Sequence, residues 1–385
     1  MKILSIEERT VSLESGASNA AISFQTMTAS AVALTVVLLG RKVTGLGFSS
    51  YGRYGHGGLL KERFIPRLEA AIPDQFLDDA GNVSVERFWK VLMTDEKEGG
   101  HGERSGAVGV LEMALWDALA KAENLPLWVL LERTFGHPND GGPAAGSSAV
   151  YASGGHYGTG DLAREIGGAM QAGYGWFKMK VGGADAATDE IRVNQALEAL
   201  DRSPKKLAID MNGVITGDGG LQRLQVLDSL GLRWIEEPVT PLDYAGLAAV
   251  AGAISTPIAT GENIFSRSDV ANLLRYGGLR TRKDVLQMDM ALAYGLTEYM
   301  RMIDLAEEAG WSRRDFMPHA GHQMALHTVA GLGLGAHEVA ATGDGPFYGI
   351  DRTSEIHNGM VRVGDAHGLG LEAKPSLYRY FDGLV

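Results

Sequence analysis

The chain has 385 residues, is 45% hydrophobic and 21% charged, and carries a formal net charge of −12. That length favours two domains over a single core, and the negative balance argues against nucleic acid, which calls for a basic face. With no cysteine in the sequence, disulfides, thiolate metal sites and cysteine nucleophiles are all excluded.

The opening residues, Met1-Lys2-Ile3-Leu4-Ser5-Ile6, lack the basic start and long apolar core of a signal peptide. The apolar run at 31–39 is too short to cross a bilayer. A cytoplasmic location without membrane contact is expected. Residues 2–13 and 31–49 read as β-rich, with 31–39 and 43–48 forming a hairpin about Gly40-Arg41. Residues 49–58 are too glycine-rich for a helix or an ordinary strand and read as a mobile loop. Helical spacing follows at 59–71 and 85–93. A second glycine-rich, charged loop runs over 97–104. Ser105 is then predicted to cap a long helix with one apolar stripe of Val108, Leu111, Leu115, Ala118 and Leu119. Pro138-Asn139-Asp140-Gly141-Gly142-Pro143 is the clearest linker. The predicted division is therefore 1–138 as an α+β capping domain, 139–350 as an α/β barrel and 351–385 as a segment returning to the cap.

Beyond the linker, residues 148–153 read as a first barrel strand, and five short apolar runs then end in polar side chains. These are Trp176-Phe177-Lys178-Met179-Lys180, Leu207-Ala208-Ile209-Asp210, Trp234-Ile235-Glu236-Glu237, Pro257-Ile258-Ala259-Thr260-Gly261-Glu262 and Val285-Leu286-Gln287-Met288-Asp289. Phe316-Met317-Pro318-His319 closes the series. The intervals from Asp210 through Glu236, Glu262 and Asp289 to His319 are 26, 26, 27 and 30 residues. Each has room for a strand, two loops and a helix, the period of a βα repeat. Helices are predicted at 189–200, 221–230, 244–253, 268–276, 292–309 and 324–330. Gly331-Leu332-Gly333-Leu334-Gly335 follows a helix rather than a strand, so it is no dinucleotide loop. His357-Asn358-Gly359 marks a hairpin outside the repeat.

Any one of these acids alone would more often cap the following helix. Asp210, Glu236 and Glu262 on three consecutive strand ends instead point to a cation between them, because three gathered carboxylates otherwise repel. An all-oxygen set suits a hard ion such as Mg²⁺. Glu237 is the neighbouring candidate, but side chains alternate along a strand, so only one of Glu236 and Glu237 should point inward. Lys178 and Lys180 share a face of a buried strand, where like charges lower each other's pKa, so a lysine there can act as a general base. Asp289 reads as buried and His319 as its partner; His322 is taken as structural.

This constellation resembles the enolase superfamily, in particular its mandelate racemase-like branch, over nearly the whole chain. The resemblance rests on Lys178-Met179-Lys180, the three acids, the Asp289–His319 pair and the cap segment Met113-Ala114-Leu115-Trp116-Asp117-Ala118-Leu119. It implies a modified TIM barrel, (β/α)₇β, under an N-terminal α+β cap, with Mg²⁺ as cofactor and a homo-oligomeric assembly. Gly52-Arg53-Tyr54-Gly55, Glu96-Lys97 with the glycines after them, and Pro318-His319-Ala320-Gly321-His322-Gln323-Met324 are similar to the tartrate dehydratases of that branch. The implied reaction is dehydration of a D-tartrate-like hydroxy-diacid or acid sugar to a 2-keto acid through an enediolate. Lys180 would be the base, His319 the acid, Lys178 and Asp289 their partners, and Asp210, Glu236 and Glu262 the metal ligands. Lys97, Tyr51 and Arg53 would meet the small carboxylate substrate's far end. There the tartrate enzymes carry asparagine-serine-asparagine, and this chain carries Ser49-Ser50-Tyr51. Racemisation or epimerisation by the same Lys–His pair is the alternative, followed by a Schiff-base aldolase and, last, a non-catalytic binding protein.

Overall fold

The computed structural model describes residues 1–13, 26–52, 55–99, 102–157, 160–214, 218–341 and 349–385. The chain begins with an antiparallel three-stranded sheet, β1 (Lys2–Ser12), β2 (Thr28–Leu38) and β3 (Arg41–Gly52). Leu39 and Gly40 both have positive φ and form the two-residue turn, one position earlier than the sequence suggests. The glycine-rich stretch at 49–58 is not one long loop. Strand β3 runs to Gly52, and a helical segment, α1 (Gly55–Leu59), begins three residues later. The glycines serve packing there: a Cβ on Gly57 would lie 2.4 Å from the Thr10 hydroxyl.

Helices α2 (Ile65–Ala70) and α3 (Val85–Leu92) lead to α4 (Glu103–Ala122) and α5 (Leu127–Phe135). Helix α4 departs from its predicted form in two ways. Gly102 stands at its N-cap, with Ser105 already inside the first turn. Nearly all of its residues are buried, because one side lies on the cap sheet and the other on the barrel. A single apolar stripe therefore understates it. The sheet comes so close that a Cβ on Gly45 would sit 1.9 Å from the Ala114 carbonyl oxygen.

The barrel follows as parallel strands alternating with helices. In order these are β4 (Ser147–Gly154), α6 (Leu162–Gln171), β5 (Phe177–Lys180), α7 (Ala186–Ala199), β6 (Leu207–Asp210), α8 (Asp218–Asp228), β7 (Ile235–Glu236), α9 (Tyr244–Ala253), β8 (Ile258–Thr260), α10 (Arg267–Tyr276), β9 (Val285–Leu286), α11 (Leu296–Glu308) and α12 (Gln323–Leu332). Between α11 and α12 the seventh strand is reduced to a bridge of Phe316 to Leu286. Strand β10 (Ala336–Ala340) pairs back on β4 and closes a (β/α)₇β barrel, the capped TIM-barrel architecture expected. Helix α6 has no counterpart in the sequence reading, since Gly167 and Gly168 weaken its helical signal. Gly331-Leu332-Gly333 is the end of α12, with Gly333 left-handed at the cap.

The C-terminal hairpin β11 (Glu355–His357) and β12 (Met360–Arg362) turns at Asn358 and Gly359, both of positive φ, and joins β4 antiparallel. Past it, the Leu369 amide donates to Asp117 of α4 at 2.6 Å, and Glu372 pairs with Lys121 at 2.7 Å. Among the described residues no helix is long and apolar enough to cross a membrane.

One buried acid pins cap to barrel. Glu112 of α4 accepts the Thr297 backbone N–H at 3.1 Å, and the Leu296 N–H as well, at the start of α11. Burial pushes its pKa up to about 7. A carboxyl whose folded pKa is raised favours the folded state while protonated, and that advantage is lost as pH rises through the folded value. Against a Glu112→Gln variant, the native chain should lose on the order of 3 kcal/mol of relative stability between pH 4.5 and 7.5. Denaturant unfolding of both proteins at the two pH values checks this; equal pH dependence in both would exclude it.

Candidate active site

Inside the barrel, Tyr151 stacks on Trp176 at 4.9 Å between ring centroids, and Trp234 meets both edge-on. This aromatic floor fills the lower barrel, so the polar strand ends above it stand at the carboxyl-terminal mouth. On β5 the alternation holds: Phe177 and Met179 pack outward into the main core, whereas Lys178 and Lys180 turn into the barrel.

Asp210, Glu236 and Glu262, from the ends of β6, β7 and β8, bring one carboxylate oxygen each to within 4.8 Å of one another. Asp210 and Glu236 are fully buried. Lys178, only 1% exposed, lies 2.6 Å from Glu236, 3.0 Å from Glu338 and 4.0 Å from Asp210. Lys180 is paired with Asp210. Burial alone would lower both lysines, but the carboxylates outweigh it and both lie above the usual lysine range. The lowering expected from their like charges is therefore overridden by the acids, whose placement the sequence does not give. Burial would raise Asp210, yet Lys180 holds it at about 2.

Glu236 accepts from Trp234 Nε1 at 3.0 Å and Gln287 Nε2 at 2.8 Å. Burial still pushes it up to about 8, with Asp210 adding to the push and Lys178 opposing it. Glu237 does not face away. Its φ of +41° breaks the strand, and burial together with Glu262 and Asp210 drives its carboxyl well above the usual range while Asn263 donates to it at 2.9 Å. One expectation from strand alternation thus fails, because β7 is two residues long and ends at Glu236.

Across the mouth, Asp289 Oδ2 lies 3.6 Å from His319 Nδ1, and His319 Nε2 lies 3.6 Å from Glu262. His322 is nearer to Asp289 than His319 is, with Nε2 at 2.8 Å from Oδ1. Burial would raise Asp289, but the two histidines hold it well below the usual carboxylate range. Burial would likewise lower His319, yet Glu262 and Asp289 lift it to about 9. Lys180 and His319 therefore stand at opposite ends of the row of acids, one against Asp210 and the other against Glu262.

Glu338 has no place in the sequence reading. In the middle of β10 it meets Lys178, accepts from the Tyr151 hydroxyl at 3.4 Å, and is brought to about 2 by Lys178 and His319 against the upward push of burial. The one signal for it is the short apolar run Ala336-His337-Glu338-Val339-Ala340 just past the glycine that ends α12. Of the loop residues, Lys97 is exposed and makes no ion pair among the described residues. Tyr51 lies in β3, and Arg53 falls outside the described residues. Beside Lys97, buried Glu96 ties down Arg63, Arg67 and Arg104 at 2.7, 2.9 and 3.3 Å.

The donor set fits a magnesium ion. It is all carboxylate oxygen, Glu262 Oε2 is buried without a hydrogen bond among the described residues, and Glu236, pushed up by burial first and by the neighbouring acids second, carries a cost of ionisation that a cation would offset. Comparison with known proteins agrees with this geometry. The enolase C-terminal domain-like family matches residues 161–377.

The chain belongs to the enolase/mandelate racemase superfamily. Its relatives in that superfamily include acid-sugar dehydratases, which are lyases. One is an L-talarate/galactarate dehydratase of Salmonella typhimurium strain LT2, 28% identical over 87% of this chain and 79% of that protein. Among solved structures, an L-talarate dehydratase from Polaromonas sp. JS666 complexed with Mg and L-glucarate superposes with a TM-score of 0.74 at 26% identity, covering 95% of this chain and 92% of that one. A racemase from Streptomyces coelicolor A3(2) with bound magnesium shares the fold at a TM-score of 0.75 and 24% identity, over 96% of each chain. Magnesium is thus the ion held by solved members of the superfamily, and the acidic cluster here has the donors for it.

Proposed function

We propose that this chain is a magnesium-dependent dehydratase of an acid sugar or hydroxy-diacid, forming a 2-keto acid. The observation that carries this reading is the two-sided arrangement, with Lys180 at one end of the three acids and His319 at the other. Asp210, Glu236 and Glu262 would hold the ion, which would bind the substrate carboxylate and stabilise the negative charge left by α-proton removal. With Asp210 engaged there, Lys180 would lose its strongest partner while the adjacent Lys178 charge would remain to lower it. Its Nζ then takes the α-proton as the C–H bond breaks. As the β-carbon–oxygen bond breaks, His319, oriented by Asp289, gives its proton to the departing hydroxyl, which leaves as water. The enol that remains tautomerises to the 2-keto acid. Lys178, paired with Glu236 and Glu338, stays charged and would face the substrate carboxylate.

Racemisation is the second reading, favoured by the same opposed pair and by the fold shared with a racemase. The chain is expected to work as a cytoplasmic homo-oligomer on a small carboxylate. Galactarate, L-talarate, D-tartrate and single-carboxylate sugar acids, each incubated with Mg²⁺ in deuterated water, form the deciding panel. Dehydration yields a 2-keto product. Label at the α-carbon without loss of water would replace this reading by epimerisation, and turnover of no panel member would reject it. D-tartrate itself tests the Ser49-Ser50-Tyr51 departure, since that end of β3 is where the far end of the substrate would lie.

A further inference from the structure

Two histidines three residues apart reach one carboxylate because of the backbone between them. Ala320 and Gly321 both lie in the left-handed region, with φ of +72° and +61°. They reverse the chain so that His319 and His322 approach Asp289 through different oxygens. Gly321 admits no side chain, as a Cβ would sit 2.0 Å from the Glu338 carbonyl oxygen. A left-handed alanine is costly and persists where its surroundings require it.

His322 is buried and fixed on each side. Its Nδ1 accepts the Ala325 backbone N–H at 3.1 Å, at the start of α12. A ring nitrogen that accepts carries no proton, so the ring's proton sits on Nε2, which donates to Asp289 Oδ1 at 2.8 Å. Phe48 of β3 meets the ring edge-on, with centroids 5.6 Å apart at 82°. Asp289 Oδ1 also accepts the Ala291 N–H at 2.8 Å. Two donors on one oxygen leave the other, Oδ2, turned towards His319 Nδ1. The helix cap sets the His322 tautomer, the tautomer makes it a donor, and the donor sets the rotation of the carboxylate.

We propose that His322 is a positioning residue that acts through Asp289 to aim the His319 imidazole at the leaving group. This rests on the dehydratase reading for its catalytic consequence, but its geometric half stands apart from it. The ring is also the place where the cap sheet touches the dyad, because Phe48 immediately precedes the segment of β3 that carries Tyr51.

The test uses His322→Phe and His322→Gln in the full chain with Mg²⁺. Phenylalanine keeps the ring and its contact with Phe48 and removes the donor, whereas glutamine places an amide N–H near the Nε2 position. Both lose the acceptor for the Ala325 N–H, so cap loss cannot explain a difference between them. His322→Phe should slow elimination about 10- to 100-fold, the size seen when an orienting partner is removed. It should leave α-proton exchange in deuterated water unchanged, and His322→Gln should restore most of the elimination. Parallel loss of elimination and exchange without rescue by glutamine would reduce His322 to a structural residue. Imidazole ¹⁵N spectra provide an arm that needs no substrate. His322→Phe should shift the His319 ring signals and His322→Gln should bring them back. Unmoved His319 signals overturn the proposal. If the native chain turns over no panel substrate, the dehydratase reading fails while the spectra still decide this one.

Discussion

Replacing Glu262 by glutamine should lower magnesium-dependent turnover at least about 10³-fold, or on the order of 4 kcal/mol in the barrier, while the fold survives. Glu262 is the cleaner choice among the three acids. It is 15% exposed at its side chain and meets His319 only at 3.6 Å, so an amide there leaves no buried charge unpaired. Glu236→Gln should be equally inactive but less stable, because Lys178 would face an amide where it now has a carboxylate at 2.6 Å. Thermal unfolding separates lost metal from lost fold. A ligand that binds only the native state stabilises it by about 2.7 kcal/mol at a hundred times its dissociation constant, so Mg²⁺ should raise the native melting temperature by a few degrees and leave Glu262→Gln unmoved. Normal turnover in both variants would remove these acids from the metal site.

His319→Asn should reduce elimination about 10²- to 10⁴-fold, the range for removing a general acid, yet leave slow exchange of the α-proton. The split follows from the separation of the two ends of the site: Lys180 sits against Asp210, and His319 against Glu262 and Asp289. Exchange in deuterated water and 2-keto product formation, measured on the same variant, give the answer. Should exchange vanish with Lys180 intact, His319 would be the group that abstracts the proton.

The row of acids was legible because a βα repeat writes its period into the sequence. Asp210, Glu236 and Glu262 recur at 26-residue intervals, so equivalent strand ends fall in register. Glu338 broke that pattern. It follows His319 by 19 residues, since the seventh strand is a single bridge and α12 runs almost directly into β10. Glu237 was misplaced for a local reason: strand alternation ends where φ turns positive. The long cap helix showed its apolar character but not its burial on both sides, which depends on the barrel lying against it.

The sequence by itself determined the repeat, the three-acid row and the presence of a lysine pair and an Asp–His pair, because each is carried by spacing within a strand or along a period. Which groups share protons and charge was decided only by the tertiary structure. Lys178 meets a glutamate 58 residues away and another from the closing strand, and Asp289 is shared between His319 and His322 through a backbone reversal at Ala320 and Gly321. Those contacts arise from barrel closure and from left-handed backbone, neither of which has a period that a linear sequence can display.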